Sequence, residues 1–423
     1  MRLAGLLSIA TLACHAASQG PSASDVNSLY PQVEALYIDL HSNPELAFEE
    51  KRTAAKLADR LKKLGYEVTT GVGGTGVVGL LKNGAGPVVM LRTELDALPV
   101  TEQTGLPFSS KTSGVMHACG HDIHMAAWTG TAQWMAEHRE RWRGTLMLIG
   151  QPAEEAGQGA SAMLKDGLFV RFPKPDFAIA LHDDDSLPAG QIGYHAGFFR
   201  AAADFPTVTI FGRGGHGAMP QNTVDPVVIA ARTILAWQTI ISRENDPQSP
   251  AVITVGAIHG GTKNNIIPEQ VQLLLSVRTF DPQVRKRVLE AIARVAKGEA
   301  AAAGAPREPL VAPTPGMPGA EAVYNDPDLT NRLAAALKKG LPAGGVVEMP
   351  AKMTSEDFSE YGRAGVKAAL LHIGAVDPAR LAESRRTGIP VPAPHSPQWA
   401  PVRETTLKGA VQAETIALLD LLN

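Results

Sequence analysis

Apolar and polar positions along this chain follow two periods, and the switches between them mark out the elements. Residues 25–64 carry helical spacing, VNSLYPQVEALYIDLHSNPELAFEE running into KRTAAKLADRLKKLG, with Gly65 as the stop. YEVTT (66–70) and TGVVGLL (75–81) have the β-branched, alternating look of strands. GPVVMLRTELDALP (86–99) holds a buried-strand run from Val88 to Leu91 that passes into acidic residues. DIHMAAWTGTAQWMAEHRERW (122–142) is predicted helical. GTLMLIGQPAEE (144–155) and PDFAIALHDDD (175–185) repeat one design, a short apolar strand followed by polar residues. Strands alternating with helices predict an α/β fold, a mostly parallel sheet covered by helices on both faces. Functional residues of such sheets gather beyond the carboxyl ends of the strands, where Asp96, Glu154, Glu155 and His182 fall.

The pattern changes near residue 200. DFPTVTIFG (204–212) alternates as a strand, and DPVVIAARTILAWQTIISR (225–243) is a helix with Asp225 as N-cap and Pro226 in the first turn. The strands AVITVGAI (251–258) and VQLLLSVRTF (271–280) precede the helix DPQVRKRVLEAIARVAKGEAAAAG (281–304). This βαββα run predicts a smaller α+β lid or dimerisation domain at 199–307, inserted into a catalytic domain made of 20–198 and 308–423. APREPLVAPTPGMPG (305–319) has the composition of a linker. No internal repeat is present.

At 423 residues, 44% hydrophobic and 19% charged, the chain has ordinary globular composition and a length that favours two domains. A net charge of −3 gives no nucleic-acid footprint and no attraction to anionic membranes. The N-terminus changes the picture. Arg2, the apolar run LAGLLSIATLA (3–13) and the small residues of CHAASQG predict a signal peptide over 1–19 and a periplasmic or secreted protein. A lipoprotein leader ending at Cys14 is disfavoured, because Leu12 stands one position too close. Cleavage after Cys14 leaves Cys119 as the lone cysteine, a liability in an oxidising compartment unless buried or bound.

GVGGTG (71–76) fits a dinucleotide fingerprint, but that site needs a helix after the glycines and VVGLL is strand-like; a hairpin turn is expected. The chemistry lies in HACGHDIHMA (117–126). Cys119 and His121 are zinc-type donors on one loop before a helix, although a buried cysteine beside surface histidines explains them equally well. Glu154 and Glu155 suit a metal ligand beside a free base, or two solvated acids at a helix start. His182 in LHDDD falls at the same sheet edge, with Asp183 to Asp185 expected to be mostly surface loop. His395 is held between prolines in APHSP. Together these make five donors and one spare acid. His138, His195, His259 and His372 have no other donor type nearby and are taken as structural.

These motifs resemble the M20 family of metallopeptidases, in its amidohydrolase branch of hippurate and N-acyl-amino-acid hydrolases. HSNPELAFEE, LRTELDALPV, MHACGHDIHMA, GQPAEE, LHDDDSLPAGQIG, GRGGHGAMP, GGTKNNIIPE, SEDF and PHSP occur in family order from about residue 30 onward. The resemblance implies two divalent ions, Zn or Mn with Co or Ni as alternatives. It implies Cys119 as the bridging ligand, His121, Glu155, His182 and His395 completing the shells, Glu154 as general base and Asp96 behind a ligand. It further implies His216 as oxyanion donor, delivered in dimeric relatives to the partner subunit's site, and Asn265 and Arg278 as groups that hold the substrate. The substrate it implies is an N-acyl amino acid such as an N-benzoyl or N-acetyl derivative, with a homodimer formed through the inserted domain. A dipeptidase or carboxypeptidase of the same family, or a scaffold that binds without catalysis, are the alternatives. Thr93 and Glu94 replace the usual Ala and Asp, outside the ligand set, and LHDDD replaces the commoner LHV in a pocket wall.

Overall fold

The structure, a computed structural model, describes residues 20–423. The leader expected over 1–19, with Cys14, lies outside the described residues. The chain starts with α1 (Ala23–His41) and α2 (Lys51–Lys63). Ser22 and Asp25 form a reciprocal cap on α1, each accepting the other's backbone N–H. The helical spacing of 25–64 breaks at Ser42–Glu50, where Pro44 lacks an N–H and Phe48 turns left-handed at φ +62°.

β1 (Glu67–Val72) and β2 (Gly76–Asn83) form an antiparallel hairpin whose turn is the GVGGTG run. A strand follows those glycines, so no helix N-terminus faces a phosphate there. β3 (Val88–Glu94), α3 (His121–Glu137), β4 (Gly144–Gln151) and β5 (Phe177–Pro188) come next. They belong to an eight-stranded sheet ordered β1, β2, β4, β3, β5, Lys367–Val376, Ile192–Tyr194, Val346–Glu348. The central strands β4, β3, β5 and Lys367–Val376 run parallel; antiparallel pairs flank them.

Period-two alternation sends side chains to two cores. Val89, Leu91, Leu146 and Leu148 join Leu36, Leu57, Trp128 and Leu418 on one face. Met90, Met147 and Ile149 join Phe199, Phe358 and Tyr361 on the other. Helices α1, α3 and Arg403–Leu421 pack together over the first face, so α3 is buried along almost its whole length.

A second sheet has its own core. Its strands Ala251–Gly260, Gln270–Thr279, Pro206–Phe211 and Leu310–Pro313 are antiparallel, and the helices Pro226–Thr239 and Pro282–Ala302 bury Trp237 and Ile292 against it. Asp225 accepts the Val227 N–H at the first helix start, with Pro226 at its first position. One expectation fails here. Leu310–Pro313 lies within the stretch taken as linker, yet pairs with Pro206–Phe211, so this sheet extends beyond residue 307. Its prolines sit where an edge strand tolerates them. No helix among the described residues is long and apolar enough to cross a membrane.

Candidate metal centre

Cys119 and His121 are placed by the turn into α3. Gly120 caps the helix at φ +77°, and a β-carbon there would lie 2.1 Å from Asp183 Oδ2. Only glycine brings the chain this close to β5 without displacing that carboxylate. His121 Nδ1 lies 2.8 Å from the Asp96 carbonyl oxygen, and its Nε2 lies 3.8 Å from Glu154 and 3.9 Å from Glu155. Asp96 Oδ2 also accepts the Glu155 N–H at 2.9 Å, so Asp96 orients both a histidine and a carboxylate-bearing peptide.

Glu154 and Glu155 follow β4 through Ala153, a left-handed residue at φ +49°. His182 Nδ1 donates to the Asp183 carbonyl at 2.8 Å, leaving Nε2 as an acceptor 3.6 Å from Cys119 Sγ. His395, left-handed at φ +71°, donates its backbone N–H to Ala118 and sets its Nε2 3.3 Å from Glu155. The five predicted donors therefore converge from four separate stretches of chain. Donor atoms of Cys119, His121 and His182 lie within 4.8 Å of one another, as do those of Cys119, Glu155 and His395. Cys119 belongs to both groups.

The donors fit divalent cations. His121 Nε2 and Glu155 Oε1 are buried and have no hydrogen-bond partner, an arrangement costly for polar atoms unless something binds them. Sulfur, imidazole and carboxylate together are a zinc-type set. Burial, reinforced by the charge of Glu155, pushes the Cys119 thiol well up, a tendency that a coordinated cation reverses. The two adjacent acids diverge. Burial, then Glu356 and Glu155, raises Glu154 well above the usual carboxylate range. Burial pushes Glu155 the same way, but the His395 hydrogen bond and the charge of His121 outweigh it and hold Glu155 low.

A layer of charge that the sequence reading missed stands behind these residues. Arg92 is fully buried in β3, hydrogen-bonded to Glu94, to Glu356 at 2.7 Å and to Asp357 at 3.0 Å. Glu94 passes the network to His124 Nδ1 at 3.1 Å, and His124 Nε2 accepts the Asp183 N–H at 2.8 Å. An arginine in the apolar run VVMLRTE was the available signal, since a buried guanidinium demands buried carboxylates. Asp183 and Asp184 correct the expectation of a surface loop: β5 continues to Pro188 and both are buried. Asp183 accepts from Trp399 Nε1, while Asp184 pairs with His372 and Lys352, each at 2.5 Å, and those partners keep them inside.

A cavity of about 720 Å³ opens onto the centre, lined among others by Glu154, Glu155, His182, Phe205, Arg278 and Met317. Arg278 Nη1 donates to Ser355 at 3.0 Å. His216 and Asn265 do not line it. They sit on an exposed ribbon, Gly215–His216 paired with Ile266–Ile267, outside this chain's own cavity.

The model of Peptidase family M20/M25/M40 matches residues 90–385. The chain belongs to this family. It is 40% identical to the hippurate hydrolase of Campylobacter jejuni subsp. jejuni over 66% of this chain and 72% of that protein. It is 36% identical to the N-acetyl-L-cysteine deacetylase of Bacillus subtilis over 80% and 79% of the two. Among solved structures, the YxeP protein of Bacillus subtilis, a dinuclear metal-binding peptidase of the M20 family, superposes with a TM-score of 0.77 at 29% identity, covering 94% of this chain and 99% of its own. This M20 chain is a metal-dependent amidohydrolase, and the family centre takes two divalent ions.

Proposed function

We propose that this M20 enzyme hydrolyses the amide bond of N-acyl amino acids, with Glu154 as general base. The observation that carries the reading is a carboxylate left over: Cys119, His121, Glu155, His182 and His395 suffice for the ions, and Glu154 stands beside them at the cavity wall. Divalent ions bound there acidify a water and polarise a carbonyl oxygen. Glu154 would take the water's proton as the C–O bond forms and the carbonyl becomes an oxyanion, and return it to the amide nitrogen as the carbonyl reforms and the C–N bond breaks. Arg278 pairs with the substrate carboxylate, and Leu98, Phe205 and Met317 give the acyl group an apolar wall. Thiolate ligation by Cys119 favours Zn over harder ions, with Mn, Co or Ni as substitutes.

The same reading assigns His216 to the oxyanion across a homodimer formed by the second sheet. The unpaired edge of Ala251–Gly260 and the exposed Val227, Val228 and Leu235 on the adjacent helix support that surface. The leader over 1–19 supports export to the periplasm or medium. The test is a panel of N-benzoyl and N-acetyl amino acids and dipeptides on protein reconstituted with Zn²⁺ or Mn²⁺. Turnover of the acylated compounds is expected; turnover of dipeptides alone, or of nothing, overturns the assignment.

A further inference from the structure

The segment HSNPELAFEE supplies no metal ligand and no cavity residue, yet it carries one of the most buried carboxylates of the molecule. Glu50 is 0% exposed. Its Oε1 accepts two backbone N–H groups, from Phe48 and from Ala153, each at 2.9 Å, and its Oε2 accepts the hydroxyl of Thr75. Phe48 and Ala153 are two of the three non-glycine residues among those described that have left-handed backbones. Such a conformation is strained for an L-residue and persists only where its surroundings over-determine it. One carboxylate oxygen thus holds both strained peptides.

Ala153 immediately precedes Glu154. Its carbonyl is fixed from the other side by the N–H groups of Gln158 and Gly159. On its N–H side the bond is to Glu50. We propose that Glu50 is a positioning residue that sets the aim of Glu154 by clamping the Ala153 peptide; this rests on the general-base reading of Glu154. Both N–H groups donate to the same buried oxygen, so its position, set by the length of the Glu50 side chain, fixes the two peptides together. The same segment also steadies the neighbouring strand end: the Glu45 carbonyl accepts the N–H of Ala97, next to Asp96.

The glycine turn that resembles a nucleotide loop finds its use here. Gly73 packs onto the helix Gly159–Lys165, where a β-carbon would stand 2.5 Å from Met163 N, and Gly76 leaves no room beside Val72 O at 2.2 Å. That close fit delivers Thr75 to Glu50.

Glu50→Gln and Glu50→Asp separate reach from charge. Glutamine keeps the length and an acceptor oxygen for both N–H groups, while its amide can donate to the Thr75 hydroxyl. Aspartate keeps the charge but withdraws the oxygens by one methylene. Glu50→Gln is expected to retain wild-type kcat. Glu50→Asp is expected to lose about 100-fold in kcat, as misplacement by an ångström does, with KM and metal content unchanged. A second readout uses the metal-free proteins: amide hydrogen exchange in peptides covering residues 150–158 should quicken in Glu50→Asp and match wild type in Glu50→Gln. The reverse order of the two variants, equal behaviour of both, or a kcat loss that tracks lost metal overturns the proposal. Should wild type turn over no acylated substrate, the function assignment fails, and the exchange experiment still decides whether Glu50 clamps Ala153.

Discussion

Gly120→Ala isolates the contact on which the metal centre is built. Gly120 adopts φ +77°, a conformation that costs an L-residue roughly 1–2 kcal/mol. The new β-carbon would lie 2.1 Å from Asp183 Oδ2 and 2.6 Å from its Cγ, so the Asp183 carboxylate must move. That Oδ2 accepts the buried indole N–H of Trp399 at 3.0 Å, and orphaning the donor costs about 1–3 kcal/mol. The two terms sum to about 2–5 kcal/mol. Displacing Asp183 also disturbs the histidines beside its other oxygen, His182 at 3.2 Å and His124 at 3.4 Å. The variant should therefore unfold at lower urea and bind its ions more weakly. Gly105→Ala is the control: φ is +71°, but nothing lies within 4 Å of the new carbon, so it bears the backbone cost alone. Urea midpoints of the metal-free proteins and zinc titrations of both variants give the comparison. Equal midpoints and equal zinc affinity in the two would refute the close-contact argument.

Glu154→Ala should keep both ions and lose activity, whereas Cys119→Ser should loosen the ions; elemental analysis with a turnover assay separates them. Burial pushes the Glu414 carboxyl up to about 8 from 4.5, against the Thr131 hydroxyl bond that favours its charge. The native state holds that proton, so stability is full below 4.5 and falls as pH rises through 8. At about 1.4 kcal/mol per unit the window spans on the order of 5 kcal/mol. Glu414→Gln removes the titration, so the Tm advantage of the variant should widen from pH 5 to pH 8; a constant difference would contradict the assignment. Mixing Glu154→Ala and His216→Ala chains, each inactive alone, should restore about a quarter of wild-type activity on random exchange, because one site of each mixed dimer is then intact. No recovery would place His216 outside the neighbouring site.

What the sequence conveyed depended on the range of the interaction. The strands β3, β4 and β5 announced themselves through uninterrupted Val, Leu, Ile and Met runs, and the capped start of Pro226–Thr239 through Asp-Pro. Cys119 and His121 were visible as a pair because both lie on one turn. His182, 63 positions from Cys119, and His395, farther still, could be gathered only by donor type and sheet edge; their roles as ligands came from the family resemblance. Arg92 remained opaque for the same reason: its partners Glu356 and Asp357 are over 260 residues away. Asp183 and Asp184 looked like solvated loop because three adjacent aspartates usually are. His372, Lys352 and Trp399, all distant in sequence, help make their burial tolerable. Leu310–Pro313 hid among prolines that signal a linker and are equally compatible with an edge strand.

Anomalous X-ray diffraction from crystals of the zinc-reconstituted protein locates the ions themselves. Two peaks per chain are expected, with Cys119 Sγ between them, His121, Glu155, His182 and His395 completing the shells and Glu154 unligated. A single peak, or ions bound elsewhere with these side chains apart, would contradict that arrangement.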